Sequence, residues 1–435
     1  MRKLTIVLVI LFFITACHQP DHIAEENPSF EMQNSSSEYI TISGLPVTRV
    51  SSDITSNTTW SGVIEIDGIV HVTYGATLTI QPGTFIKGKP VIGYGPNGVL
   101  VITKSGKLNA VGTETQPIIF TSYNLLDGDE STLPRPGDFG GVILLGDAPT
   151  NKSSTTRIEG LSDSSSEYGG SNVSHNAGSM KYVRIEFAGY DFLGSNSGNE
   201  INGLTLGGVG THTTLDHIQV SYSLDDSFEF FGGTVNATNL ISFAPQDDNF
   251  DFENGYTGTI SCGLALADYN SGHSYQNSSS PDSNGIELDN DVMGSGNFPM
   301  THPVVNNLTI IGQNINRTNM YSSFYENGIH IRRNGKLTLN NAVVTGYPAG
   351  IKAEGTGSEL SSSSSPGTIK VHGFTTSVSG MGTSGIPATN LLTGTTASSW
   401  AMSQPFFNEI SWNINPRNCG NFNGTWTKYN FSWVE

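Results

Sequence analysis

Charge is scarce in this chain of 435 residues: 13% are Asp, Glu, Lys or Arg, against ~25% in ordinary soluble proteins. Basic residues are the scarcer sign, 20 against 38 acidic, giving a net charge of −18, and they form no cluster. That excludes the electrostatic footprint of a nucleic-acid partner. An anionic polymer would also be repelled unless a cation bridged it. Cysteine is nearly missing, with 3 in all, so no zinc-type Cys/His spacing is present, nor is a Ser/His/Asp triad or a phosphate loop. After the first 17 residues no apolar run is a candidate membrane span. Glycine is abundant, at 51 residues, together with Ser, Thr and Asn. Such a composition suits many strands joined by tight turns.

The N-terminus has the form of an export signal. Arg2 and Lys3 precede the apolar stretch Leu4 to Ile14, which is too short to span a bilayer comfortably. Ile14-Thr15-Ala16-Cys17 resembles a bacterial lipobox, so Cys17 is the expected lipidation site and residues 1–17 the lipoprotein signal peptide. The alternative is an ordinary secretory signal with an incidental cysteine. Residues 18–56 carry Pro20, Pro28, Pro46 and Ser35-Ser36-Ser37 without periodicity, as a flexible tether would. Export permits a disulfide between Cys262 and Cys419, but two cysteines have no spacing pattern to support one. Cys262 follows Ile260-Ser261 in an alternating run and reads as a small buried hydrophobe.

The body of the chain is periodic. Asp225-Asp226-Ser227-Phe228-Glu229-Phe230 recurs as Asp247-Asp248-Asn249-Phe250-Asp251-Phe252, a displacement of 22 residues (247 minus 225). A fixed period of that size with strand-like Phe-x-Phe alternation means stacked β units. One strand series runs through Val183-Arg184-Ile185, Ile218-Gln219-Val220, Leu240-Ile241-Ser242, Ile260-Ser261-Cys262, Leu308-Thr309-Ile310 and Leu337-Thr338-Leu339. The other runs through Leu204-Thr205-Leu206, the two Phe-x-Phe triplets, Ile286-Glu287-Leu288, Ile329-His330-Ile331 and Ile351-Lys352-Ala353. Their alternation predicts an all-β, right-handed parallel β-helix, a solenoid with coils of about 22 residues over 57–385, each coil giving a strand to two sheets. The outer two residues of each triplet point into the core and the middle one outward. Spacing stretches to 36 residues (286 minus 250) and 43 (329 minus 286). These inserted loops carry Tyr269, His273, Tyr275, Tyr321, Phe324 and Tyr325, candidates for a ligand-binding face. In 386–435 the period fades while Trp400, Phe406, Phe407, Trp412, Phe422, Trp426, Phe431 and Trp433 crowd together. This reads as a C-terminal cap over the last coil, with an aromatic carbohydrate-binding surface as the alternative.

The chain resembles the β-helix lipoproteins of Bacteroidota-type cell envelopes, whose architecture is pectin-lyase-like. The resemblance rests on Trp60-Ser61-Gly62, Gly75-Ala76-Thr77-Leu78-Thr79-Ile80-Gln81-Pro82-Gly83-Thr84, Pro117-Ile118-Ile119-Phe120-Thr121-Ser122 and Pro136-Gly137-Asp138-Phe139-Gly140-Gly141. Tyr182 to Gly189, Asn199 to Leu206 and the first Asp-Asp motif complete it, with Phe139 standing where Trp is expected in relatives. It implies an exported protein, lipid-anchored to the outer membrane and facing the cell surface, and it brings no established reaction.

Stacking the second series places Thr205, Glu229, Asp251, Glu287, His330 and Lys352 in one outward ladder. Glu229, Asp251 and Glu287 on successive coils would repel unless a cation or proton intervened, and calcium is the natural cation. Asp225, Asp226, Asp247 and Asp248 in the preceding turns serve either as turn-forming side chains, as further oxygen ligands, or as paired acids of a polysaccharide hydrolase or lyase with His330, Arg332 or Arg333 as basic partner. The Gly-His-Gly and Arg-Ile-Lys signatures of polygalacturonases are missing; Gly328-Ile329-His330-Ile331-Arg332 is a poor substitute. The expected function is therefore glycan or other extracellular ligand binding without catalysis, with hydrolysis, lysis or a purely structural role as the alternatives.

Overall fold

The computed structural model describes residues 38–39, 42, 44–153, 156–192, 200–268, 271, 283–312, 325–380, 382, 384–394, 417, 419 and 422–431. They form a right-handed parallel β-helix. In one coil Val63–Ile66 lies in sheet A, Ile69–Val72 in sheet B and Thr77–Ile80 in sheet C. The next coil repeats them as Phe85–Gly88, Val99–Ile102 and Lys107–Val111, pairing Val63 with Phe85, Ile69 with Val99 and Thr77 with Lys107.

Each coil thus feeds three sheets, where two strand series led us to expect two. From Gly178–Glu186 onward the strands of sheets C and A run on from each other through one corner residue with left-handed backbone: Tyr182, His217, Asn239, Cys262, Asn307 or Asn341, at φ of 51°, 55°, 56°, 66°, 56° and 55°. One such residue turns a strand without the Gly or Pro that marks turns elsewhere. The first series therefore merged sheet C residues such as Ile260 and Leu337 with sheet A residues such as Ile218 and Leu308.

The corner also corrects the reading of Cys262. It packs outside the solenoid core and forms a disulfide with Cys419, 157 residues away. Inside the core, the duplicated motif builds an aromatic stack: Phe228 lies on Phe250 with centroids 5.3 Å apart and Phe230 on Phe252 at 5.2 Å. All four rings are buried. Aromatic pairs held in register on adjacent coils add to their area burial.

Two outer faces are apolar, and other segments cover them. On sheet A, Ile241, Phe243, Leu264, Leu266 and Ile311 receive Phe422, Trp426, Tyr429 and Phe431. Within the 386–435 segment, residues 422–431 lie along the flank of sheet A, while Leu391–Thr393 extends that sheet by pairing with residues 371–373. Trp400, Phe406, Phe407, Trp412 and Trp433 fall outside the described residues. The folded body also begins earlier than the expected tether boundary. Val47–Val50 pairs with Val63–Ile66, Ile54 bridges Val72, and Glu38 and Tyr39 dock on Arg184 and Glu186 of sheet A. Val47–Val50 sits between Pro46 and Ser51-Ser52 and, like Ile54 and Glu38-Tyr39, is too brief to register as a period. Cys17 lies outside the described residues. On sheet B, Val99, Val101, Ile143 and Leu145 are covered by Ile158, Leu161 and Tyr168 of an excursion after Gly141–Leu145. Beyond that cover the outer positions of sheet B turn acidic.

Candidate functional site

The outward ladder of sheet B exists in the expected register: Thr205 opposite Glu229, then Asp251, Glu287, His330 and Lys352. Its carboxylates are not solvated, however. Glu229, Asp251 and Glu287 are 5%, 7% and 6% exposed, and the excursion after Gly141–Leu145 reaches Glu229 through Glu159. Parallel pairing fixes these side chains one coil apart, about 4.8 Å, so their proximity is imposed by the backbone.

The Asp-Asp pairs divide their work. Asp226 and Asp248 belong to a ladder of turn acceptors in which the side chain on each coil accepts the backbone N–H of the next. Asn202 Oδ1 accepts from Asp226 at 3.2 Å, Asp226 Oδ1 from Asp248 at 2.8 Å, Asp248 Oδ1 from Asn284, and Asn284 Oδ1 from Asn327 at 3.1 Å. Turn chemistry is thus one of their roles. Single oxygens of Asp225, Asp226 and Asp247 also lie within 4.8 Å of one another, as do those of Asp226, Glu229 and Asp251.

Glu287 parts from the set in which the ladder placed it. Arg332, two residues beyond its register partner His330, ion-pairs with Glu287 and holds Asp289 through Nε at 3.0 Å, while Arg333 reaches Asp289 at 2.6 Å. A guanidinium satisfies these two acids, so Asp226 takes the place beside Glu229 and Asp251 that Glu287 was expected to fill. His330 is buried and engaged with Glu354 at 3.2 Å, Glu326 at 3.9 Å and Glu287 at 4.0 Å. Burial and the Lys352 ammonium hold its pKa below the ordinary histidine value. Lys352 bridges Glu354 at 2.7 Å and Glu326 at 3.3 Å, and this end of the ladder, with Arg333, reaches solvent.

Several members of the cluster escaped the sequence reading. Glu159 comes from the covering excursion and shares a hydrogen bond with Glu229, whose other partner is the Asn202 amide. Nothing in its surroundings is periodic, so no sequence signal could have found it. Glu253 and Asp289 had a signal: they follow Asp251 and Glu287 by two residues and share their outward face. Burial pushes the carboxyls of Asp225, Asp226, Glu229 and Asp251 well above the usual range. Asp247, Asp248, Glu159 and Glu253 respectively add to it by repulsion. Glu159, part-buried, is pushed up to about 8 by desolvation against the opposing hydrogen bond from Glu229. Such a cluster either retains protons at neutral pH or takes up a cation.

Of the loop aromatics, Tyr325 is described and is not a surface residue: it is buried, and its hydroxyl donates to the Asp268 carbonyl at 2.9 Å. Tyr269, His273, Tyr275, Tyr321 and Phe324 lie outside the described residues.

A three-sheet parallel solenoid with a polar, partly acidic outer ladder defines a pectate-lyase-like β-helix. The chain belongs to that family: residues 52–427 match the pectate-lyase-like β-helix domain. No curated protein matches in sequence. Among solved structures, tailspike protein 2 of Escherichia coli O157:H7 bacteriophage CAB120 is 12% identical with a TM-score of 0.34, the match covering 78% of this chain and 40% of the tailspike. The catalytic domain of a GH87 α-1,3-glucanase is 10% identical at 0.30, covering 81% and 64%. Endopolygalacturonase I of Stereum purpureum is 11% identical at 0.23, covering 79% and 92%. Likeness at this level bears on no activity.

Proposed function

We propose that the protein is an exported β-helix, anchored to the outer membrane through a lipid on Cys17 and facing the cell surface, that binds polysaccharide along the solvent-reaching end of sheet B without cleaving it. The observation that carries this is the ladder's makeup. Lys352 on sheet B, with Arg333 and Glu354 just past the ends of strands Asn327–Arg332 and Lys336–Ala353, supplies charged donors and acceptors at the solvent-reaching end, while Asp226, Glu229 and Asp251 are buried. A glycan needs such an array of fixed hydrogen-bonding groups, and a solenoid supplies it already ordered. The Cys262–Cys419 bridge fits an oxidising compartment, and membership of a pectate-lyase-like family makes polysaccharide the first ligand class to test.

A second reading is favoured by Glu159. A carboxyl pushed up to about 8 holds its proton at neutral pH, as a general acid must. Against it, a carboxyl in direct hydrogen bond with Glu229 leaves no room for a sugar between the two, where hydrolases keep their acids about 5 Å or more apart. A glycan array tests both readings. Binding that drops with Arg333→Ala or Lys352→Ala, without release of oligosaccharide, supports the first. Release abolished by Glu159→Gln replaces it with the second, and neither binding nor release on any glycan removes both.

A further inference from the structure

The turn ladder asks one thing of the Asn202, Asp226, Asp248 and Asn284 side chains: an oxygen to accept the next coil's N–H, the last of these from Asn327. An amide oxygen meets that need at two of the four positions, Asn202 and Asn284, and brings no charge. Asn and Asp are nearly isosteric, so the carboxylates of Asp226 and Asp248 add negative charge that the turn does not use. That charge is not scattered. Asp226 and Asp248 sit on the same two coils as Asp225, Glu229, Asp247 and Asp251. The fold has concentrated buried acids at one point while using neutral amides on either side.

A second observation comes from Asp251. Its side chain is 7% exposed, and its Oδ1 has no hydrogen-bond partner. A buried oxygen without a donor is costly, and protein structures rarely tolerate one without an ion or water. That residue belongs to the trio with Asp226 and Glu229 whose oxygens lie within 4.8 Å of one another. A cation with metal–oxygen distances of about 2.3–2.6 Å fits between oxygens so separated. Each ligand is also held independently: Glu229 and Asp251 by the register of sheet B, Asp226 by the N–H of Asp248 on one oxygen, which leaves its other oxygen for a ligand.

We propose that Asp226, Glu229 and Asp251 hold a buried divalent cation of calcium type, which neutralises the acidic step of the solenoid. Asp225 and Asp247 form a second cluster that shares Asp226, again with oxygens within 4.8 Å of one another. The role is structural, inside the wall of the solenoid, and it stands whether or not a glycan binds at the exposed end. Calcium suits the site better than magnesium because carboxylates from two coils cannot easily supply a tight octahedron, and magnesium gives up its waters reluctantly.

The test uses the purified full chain, stripped with EDTA and titrated with calcium by calorimetry, with thermal unfolding followed in parallel and no glycan present. Saturable calcium binding, a higher melting temperature in calcium than in EDTA, and at least a tenfold weaker affinity in both Asp251→Asn and Glu229→Gln are expected. In EDTA both variants should melt at or above the unsubstituted protein, because each removes a repelling buried acid; this keeps lost binding separate from lost fold. Equal melting temperatures in calcium and EDTA with no heat of binding, or undiminished affinity in both variants, would overturn the proposal. If either variant fails to fold, the calcium dependence of the unsubstituted protein decides alone.

Discussion

Replacing both Cys262 and Cys419 by serine should free the C-terminal tail before the solenoid itself melts. Residues 422–431 dock on sheet A through four large side chains, Phe422, Trp426, Tyr429 and Phe431, all buried. At about 2 kcal/mol each, their burial contributes roughly 8 kcal/mol. Fixing the ten residues 422–431 costs roughly 12 kcal/mol at about 1.2 kcal/mol per residue. Docking by itself is therefore short by about 4 kcal/mol, before the Gln219 hydrogen bonds to the Lys428 backbone are added. The bridge lies immediately ahead of the docked segment and closes 157 residues. The chain-entropy relation assigns a closure of that length roughly 5 kcal/mol, enough to offset the deficit. The double-serine variant should accordingly lose hydrogen-exchange protection across 422–431 and show a red-shifted emission from the newly exposed Trp426, at temperatures where sheet amides stay protected. Protection of the tail that persists unchanged up to the global transition would refute the reasoning, since docking would then be self-sufficient.

Phe250→Ala should lower stability by about 3–5 kcal/mol, the usual cost of deleting a buried aromatic, and Phe250→Leu by clearly less; urea midpoints would show it, and an unchanged midpoint for the alanine variant would contradict the stacked core. Asn284→Ala leaves the Asn327 N–H without its acceptor and should cost about 1–3 kcal/mol, whereas Asn284→Asp, which keeps the oxygen, should retain that turn bond while adding another buried charge. In EDTA the melting temperature should fall as pH rises from about 5 to about 8. Unfolded carboxyls lose their protons near pH 4. Folded Asp225, Asp226, Glu229, Asp251 and Glu159 keep theirs to higher pH. The folded chain thus binds more protons across that window and stability declines with pH. Lys152, Arg332 and Arg333 face Glu253 and moderate the decline without reversing it. A melting temperature that climbs over the same range would mean that the acids are ionised and paired in the folded chain.

How far the sequence spoke depended on whether the backbone or a loop made the contact. The ladder from Thr205 to Lys352 could be read residue by residue, since parallel pairing turns a sequence period directly into adjacency. The same logic misjudged exposure. An outward-pointing residue on a solenoid is solvated only if nothing lies over it, and what lies over Glu229 is the aperiodic excursion that brings Glu159. In the tail, outward residues such as Ile241, Phe243 and Leu264 mark sheet A as an apolar face, and Phe422, Trp426 and Phe431 of the aromatic segment cover it. Cys262 was misread for another reason: a left-handed corner reverses the alternation of side chains, so a residue in phase with Ile260 by counting is out of phase in space.

The duplicated Asp-Asp motif shows why residue type alone could not settle its role. Turn formation and cation binding look like rival explanations when each aspartate is treated as one unit. A carboxylate has two oxygens, and in Asp226 Oδ1 accepts the Asp248 N–H while the same group lies within 4.8 Å of oxygens of Glu229 and Asp251. Turn acceptance explains why an oxygen is needed at 226 and 248, and it is indifferent between Asn and Asp. Amides accept at 202 and 284 and carboxylates at 226 and 248, so the turn bond alone does not account for the charge on those two coils. Substituting Asp226→Asn therefore separates the two roles in one molecule. It should preserve the turn and the fold while removing the calcium dependence of the melting temperature; a variant that keeps that dependence would leave turn formation as the sole reason for the motif.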